Sequence, residues 1–597
     1  MLNAQRSEPV ASDAVLSLAV LARESSVEAE RMSEFRVLVR HFLDRFFGNE
    51  FASADGDATT RLVQVACAIG IPPFVLSLYL YPAYHLPFHR VRPYWAQAGD
   101  HDFFVLYTMV AMGLVAIFEW DLLFPDLLDV FVLASLPVRA IRLLLTRMTA
   151  IVILIAAAIF DASFLAPVVL PAATDPPHLY RFLAAHCVAV VCSGIFGATS
   201  ILALEGVLLS LFGDRWFRRV SLWLQGILVV ALLMLLFLNS IIANALEALL
   251  RLHLSYLVPC FWFLGIYQRI LDGPSTLPVI ARLAHIGFAG TGAAVMLAAI
   301  SYPLAWRRRT LSLVEGGVAR ERQPRLAAPI QHLLHATAVR MPACRAVWHF
   351  IGQNLLRVPR YRMVLVFYGG AGVALVLAAV LRVNVGHGHF RFVLSPAGVR
   401  ATVPIVAFWT ASGLRSTFLA PADQRGRWIF RVITGKPGFP HLNAARRWTL
   451  LWTLLLTSIS AAFVSLAHGL AHALSAPWAV AAVQGVAAIA LSLLLTDAFF
   501  LRVTTIPFTG SKSSSATNLA LLLIPYMGFF PAIVLFTITI ERWMEAASSH
   551  LLLAVGIALV ADLCLRSMRR SHIEDTLRQI DADGDEEDFP LRLGLRY

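Results

Sequence analysis

The residues best placed to do chemistry in this chain are ionisable groups set in apolar surroundings. Asp161 in "IFDASFLAP", Glu205 in "ILALEGVLLSLF" and Asp497 in "LLLTDAFFLRV" interrupt aliphatic runs, as do Asp562, His186 and His468. Charge in hydrocarbon is costly, so such groups mark an ion or substrate path, or else an ion pair at a membrane interface. For Glu205 the sequence offers Arg215 or Arg218 as the partner, and for Asp497 it offers Arg502. Asp161 sits near the middle of its run and is expected to face the bundle interior or a polar cavity. Other motifs carry less. "HGLAH" sets His468 and His472 one helical turn apart, a metal-competent spacing, but with no third ligand and no HExxH glutamate. "DADGDEEDF" imitates an EF-hand loop through Asp581, Asp583 and Asp585, yet Glu586 stands where glycine makes the turn and Arg592 where a bidentate glutamate is needed. An acidic, solvated tail is the simpler reading, and no metal site is expected. The six cysteines show no CxxC and no Cys/His ligand spacing.

The elements that must position these groups follow from composition. The 597 residues are 58% hydrophobic and 14% charged, with a mean hydropathy of +0.71. Such a chain is a polytopic membrane protein. Its cations are almost all Arg, Lys occurring only at Lys436 and Lys512, and they lie between apolar runs. They read as lipid-flanking anchors rather than a nucleic-acid surface. A span needs about 20 apolar residues, which places helices near 62–82, 103–120, 148–170, 182–212, 220–243, 283–306, 363–382, 398–414, 448–470, 478–501, 518–540 and 548–566. The fold class is an all-α transmembrane bundle of about twelve spans. Arginines concentrate in alternate loops, so the positive-inside rule puts both termini in the cytoplasm. Region 244–272, with Pro259 and several aromatics, is expected to be re-entrant or interfacial if it does not span.

Similar windows recur in order along the chain. "RHFLDRFFGN" and "WHFIGQNLLR" each precede a first span as a surface helix. "LASLPVRAIRLLLTRM" and "FLAPADQRGRWIFRVI" each follow a second span with a proline, Pro137 or Pro421, ahead of spaced arginines. Glu205 and Asp497 each fall near the cytosolic end of a fourth span. The order implies two parallel six-helix halves, since an even span count preserves orientation. The corresponding division is a lead-in over 1–61, halves over 62–306 and 363–566, a basic linker over 307–362 and an acidic tail over 567–597. Between spans two and three, "DLLDVFVLASLPVRAIRLLLTRM" is expected to lie along the cytosolic interface. Its arginines would snorkel and Pro137 would turn the chain into span three. It either anchors the loop or presents a coupling element to a cytosolic motor.

At these residues the chain resembles the membrane subunit of an ABC-2-type exporter. "FEWDLLFPDLLDVFVLASLPVRAIRLLLTRM" is similar to the stretch where a "PL/LP" pair precedes the third span of such permeases. "YLVPCFWFLGIYQRIL" and "TTIPFTGSKSSSATN" are similar to segments of large bacterial ABC-2-like membrane proteins. The resemblance covers most of the chain through short motifs. It implies a transporter subunit of the bacterial inner membrane, with two fused permease units, an unidentified exported substrate and a separate ABC ATPase that brings ATP and Mg. It implies that Pro137, Arg139, Arg142, Arg147, Pro421, Asp423, Arg425, Arg427 and Arg431 couple to that ATPase. The chain has no GxxxxGK[ST] of its own: "VITGKPGFP" and "FTGSKSSS" lack the upstream glycine of a phosphate cradle. Two alternatives come from other classes. Asp100 and Asp102 of "YWAQAGDHDFFVLY" suit the base or metal ligand of a multi-span lipid-linked-sugar glycosyltransferase, unless they merely cap the second span. A non-catalytic scaffold is the third reading.

Overall fold

Backbone polar groups in hydrocarbon must bond within their own segment, so a chain this apolar can be little but helix. A computed structural model describes residues 34–44, 58–85, 93–124, 139–163, 179–239, 246–251, 254–314, 339–386, 389–419, 439–472, 477–503, 505–508 and 512–582. In chain order the elements are α1 (34–44), α2 (Ala58–His85), α3 (Tyr94–Phe118), α4 (Trp120–Leu123), α5 (Ala140–Ser163), α6 (Leu179–Phe237), α7 (Leu246–Arg251), α8 (Pro259–Asp272), α9 (Pro278–Val314), α10 (Pro342–Arg357) and α11 (Pro359–Val380). A hairpin, β1 (Leu381–Gly386) and β2 (His389–Leu394), then leads to α12 (Pro396–Leu419), α13 (Phe439–His472), α14 (Pro477–Phe499), α15 (Lys512–Ala546) and α16 (Ser548–Ala582). Among the described residues nine helical stretches are long and apolar enough to cross a bilayer, two of them within α6. α2, α12 and α15 occupy the other three predicted spans. The protein is an all-α, multi-pass membrane bundle in contact with lipid.

α3 is the buried axis of the first half. Gly197 of α6 lies so close that a Cβ there would stand 2.4 Å from the carbonyl oxygen of Met109. Small residues at such crossings let membrane helices gain the dispersion contacts that replace a hydrophobic drive. α6 is helical over 59 residues, about 88 Å if straight. It is not straight. Gly113 of α3 lies against both Leu232 and the carbonyl of Gly197, positions that a straight helix would hold about 52 Å apart. α6 therefore doubles back between them and supplies two antiparallel spans. Its second arm carries Val229 against Gly370 of α11, which joins the halves.

We call the end of the bundle where α1 packs basal and the other apical. Phe42 of α1 joins Trp120, Phe124, Phe217 and Tyr302 in one basal core, where the Tyr302 hydroxyl donates to the Leu123 carbonyl at 2.6 Å. In the second half α10 does the same work: Trp348 and Ile351 pack with Tyr361, Phe418, Phe500 and Phe508. Phe508 holds a left-handed φ of 66°, and its N–H donates to the Phe418 carbonyl at 3.0 Å. Helices thus stand at both expected positions, over 34–44 and Pro342–Arg357, each packed at its half's basal end.

Several expectations change. α8 has 14 residues, about 21 Å, too short to cross about 30 Å of hydrocarbon. It nevertheless buries Cys260, Phe261, Phe263, Leu264, Ile266 and Tyr267. Residues 246–251 and 254–272 accordingly form a short element that does not cross, its helix α8 packed on α3, α6 and α9, and the second half has no counterpart, because α15 is followed directly by α16. α5 begins at Ala140 rather than at 148, so Arg142 and Arg147 ride on the spanning helix itself. α9 runs to Val314, into the predicted linker, and α16 runs to Ala582, into the predicted tail. The β1–β2 hairpin, paired from Leu381↔Leu394 to Gly386↔His389, was not expected at all. "LRVNVGHGHFRFVL" alternates with period two about a Gly-His-Gly turn, which is the signal that identifies it.

Candidate functional site

The basal coupling region rests on three described arginines. Arg139 is exposed at the foot of α5. Arg142 donates to Glu34 of α1 at 3.2 Å across a solvent-facing contact. Arg147 does not snorkel: it is 1% exposed. Its Nη2 donates to the Phe124 carbonyl at 2.8 Å, and its guanidinium lies 5.3 Å from the Phe42 ring and 5.5 Å from the Trp306 ring. The cation thus ties α5 to the end of span two, to the surface helix and to span six. Helix 140–163 starts early enough to carry residue 147 inward, and aromatic faces replace water around it. Pro137, Pro421, Asp423, Arg425, Arg427 and Arg431 lie outside the described residues.

A second polar cluster fills the apical part of the first half. His101 and Asp102 of α3, His186 of α6, and Cys260, Tyr267 and Gln268 of α8 are all buried. The His101 ring stacks on Tyr267 with centroids 4.3 Å apart, its Nδ1 is 3.1 Å from Gln268 Nε2, and the Tyr267 hydroxyl is 3.5 Å from His186 Nδ1. Both carboxylate oxygens of Asp102 are buried without a geometric hydrogen-bond partner among the described residues. At the rim, the Tyr94 hydroxyl donates to Asp272 at 2.8 Å. These contacts fasten α8 to α3 and α6. Asp100 and Asp102 are the seventh and ninth residues of α3, whose N-cap is Pro93 with no side-chain cap. They do not cap the helix. The cavity enclosed beside Ala98 and Gln268 is about 10 Å³, space for one water at most. Asp161 stands against Gly70 of α2, the Tyr107 hydroxyl donating nearby to the Ile69 carbonyl at 2.6 Å.

The second half is crossed by a buried polar seam. At its basal end Asp497 of α14, fully buried, accepts both Nε and Nη2 of Arg446 from α13, the latter at 2.7 Å. Arg566 of α16 approaches Asp497 at 3.4 Å and binds Asp562 at 2.6 Å. This overturns Arg502 as the partner of Asp497: Arg502 is exposed. The side chains of Arg215 and Arg218, expected beside Glu205, lie outside the described residues, while Glu205 itself is buried. Above Asp497 come Thr449, Thr453 and Thr457 on one face of α13, and Ser492 and Thr496 on α14. All five are wholly buried, and their hydroxyls find no protein partner among the described residues. Helical threonines usually donate to the carbonyl four residues back, as Thr402, Thr417 and Thr537 do here. Ala461 and Ala488 continue the same two faces within one packed cluster. Beyond them, Ser465 donates to Gln484, which donates to the Val399 carbonyl at 2.8 Å. The apical end is closed by Arg400, paired with Glu545 at 2.6 Å and 3.0 Å, beside the buried Glu541. Sequence reasoning singled out Asp497 but missed the hydroxyls, although Thr449, Thr453 and Thr457 recur at i, i+4, i+8.

Among the described residues no three His, Cys, Asp or Glu side chains converge to hold a metal. Comparison with protein-family models, curated proteins and solved structures finds no match for this chain.

Proposed function

We propose that this chain is the membrane-spanning permease subunit of an ATP-driven exporter of ABC-2 type, with a separate ATPase chain that binds ATP and Mg. The observation that carries the reading is the repeated basal arrangement: each half seats a surface helix, α1 or α10, against the feet of its spans. In the first half the buried Arg147 joins that helix to the segment after span two. A push on the loop ahead of Arg139 would travel through Arg147 into α1, α5 and α9 together, because a packed core moves as a body rather than deforming locally. The Arg142–Glu34 pair would steady the same corner from the solvent side. The loop carrying Pro421, Asp423, Arg425, Arg427 and Arg431 is the equivalent receiver for the second half. The polar seam between α12, α13 and α14 supports a transport role, since buried hydroxyls without partners are costly in hydrocarbon unless something polar visits them. In this reading the protein sits in the bacterial cytoplasmic membrane, basal end and both termini inward.

The test is gentle purification of the tagged chain from native membranes with mass spectrometry of what accompanies it. A P-loop ATPase in fixed ratio is expected, lost when Arg139, Arg142, Arg425 and Arg427 are replaced together by Ala. A monodisperse chain that reproducibly brings no ATPase removes the proposal.

A further inference from the structure

Three guanidiniums and two carboxylates meet where α13, α14 and α16 converge at the basal end. Arg446 spends its Nε and Nη2 edge on Asp497, and Arg566 divides its donors between Asp497 and Asp562. Arg569, one turn further along α16, is different. It is 6% exposed, and its Nη1 donates to Asn443 Oδ1 at 3.0 Å. Its Nε and Nη2 are buried and have no acceptor among the described residues. That is the same edge with which Arg446 grips a carboxylate. Among the described residues three cations against two anions leave an uncompensated positive charge, and a buried charge with open donors is costly unless an acceptor completes it. The planar Nε–Nη2 fork matches two oxygens of one tetrahedral or carboxylate anion.

The position selects the source of that anion. α16 is the least buried of the nine candidate spans, so its flank faces lipid tails. Arg566, half-exposed beside Arg569 on the same helix, is the cation a ligand would meet first. We propose that Arg569, with Arg566 and Asn443, forms a binding site for the phosphodiester of an anionic phospholipid, taken from the leaflet at the basal end. The headgroup supplies the missing negative charge and two acceptor oxygens for the open edge of Arg569. Interhelical basic pockets at this depth suit such headgroups on general electrostatic grounds. The site does not rest on the exporter reading, since it uses none of the coupling arginines.

The experiment uses the full-length protein, delipidated in mild detergent and titrated with phosphatidylglycerol or phosphatidylcholine under native mass spectrometry. Wild-type protein is expected to retain phosphatidylglycerol about tenfold more tightly than phosphatidylcholine, the scale of one charge-assisted hydrogen-bonded contact. Arg569→Leu should abolish that preference. Arg570→Leu should keep it, since that neighbour is exposed and paired with Glu574. Should Arg569→Leu fail to stay monodisperse, Arg569→Lys decides, because it preserves the charge while losing the planar fork and is expected to weaken binding severalfold. Equal retention by wild type and Arg569→Lys, or no preference in wild type, overturns the proposal. So does displacement of the lipid by inorganic phosphate, which would mark a site for a soluble anion.

Discussion

Asp497 and Arg446 offer the sharpest test of how the second half is held together. Replacing Arg446 by Ala removes a bidentate partner from a carboxylate that is wholly buried. Breaking a buried pair this way costs about 3–5 kcal/mol, because one charge stays behind without its counterion. Here the loss is cushioned: Arg566 already stands 3.4 Å from Asp497 but keeps 46% of its side chain exposed and is shared with Asp562. The lower end, about 3 kcal/mol, is therefore expected, a shift of about two powers of ten in the unfolding equilibrium. Arg502→Ala, an exposed cation beside Asp497 in sequence alone, should stay within about 0.5 kcal/mol. The assay is reversible unfolding in mixed micelles, comparing wild type, both single variants and the double variant Arg446→Met with Asp497→Leu. The double variant should recover most of the loss, since removing both charges also removes their desolvation cost. Equal effects of Arg446→Ala and Arg502→Ala would refute the assignment of the pair. A double variant as unstable as the single one would refute the desolvation argument.

Three further outcomes follow from the packing. Gly197→Ala should force α3 and α6 apart and cost about 1–3 kcal/mol, whereas Gly292→Ala, with nothing within 4 Å of the new methyl, should be neutral in the same unfolding assay. On a cysteine-free background, Thr453→Cys and Ser492→Cys should react with a water-soluble methanethiosulfonate reagent, while Phe463→Cys, at a 72% exposed and lipid-facing position, should not. A seam as inert as Phe463→Cys would mean that its hydroxyls see no aqueous path. Phe508→Ala should cost about 3–5 kcal/mol, because this buried ring packs on Tyr361, Phe350 and Phe418.

The spans were legible because the bilayer imposes one length on every crossing helix, and a run such as 182–212 satisfies it without reference to anything else. Whether 244–272 crosses was left open by its weak hydropathy, and the 14-residue length of α8 is what decides it. What local sequence does not encode is the choice of partner between distant helices. Arg502 is five residues from Asp497, Arg446 is fifty-one residues away, and only the antiparallel packing of α13 on α14 favours the latter. Arg147 was misjudged because a cation at a span's edge ordinarily reaches for water. Phe42 and Trp306, from two remote segments, offer it ring faces instead. The hairpin escapes the twenty-residue apolar length that marks a span, which a pair of six-residue strands cannot satisfy.

That hairpin also constrains how the second half can work. Six paired positions from Leu381↔Leu394 to Gly386↔His389 clamp the apical ends of α11 and α12. Immediately behind them Gly398 is pressed so close to the Ala379 carbonyl that even a methyl group would collide at 2.1 Å. Neither helix can slide or splay against the other without unzipping the ladder. The pair is therefore locked at its apical end, and any relative movement of the two halves falls to other contacts, such as the seam of α11 on α6 where Gly370 meets Val229.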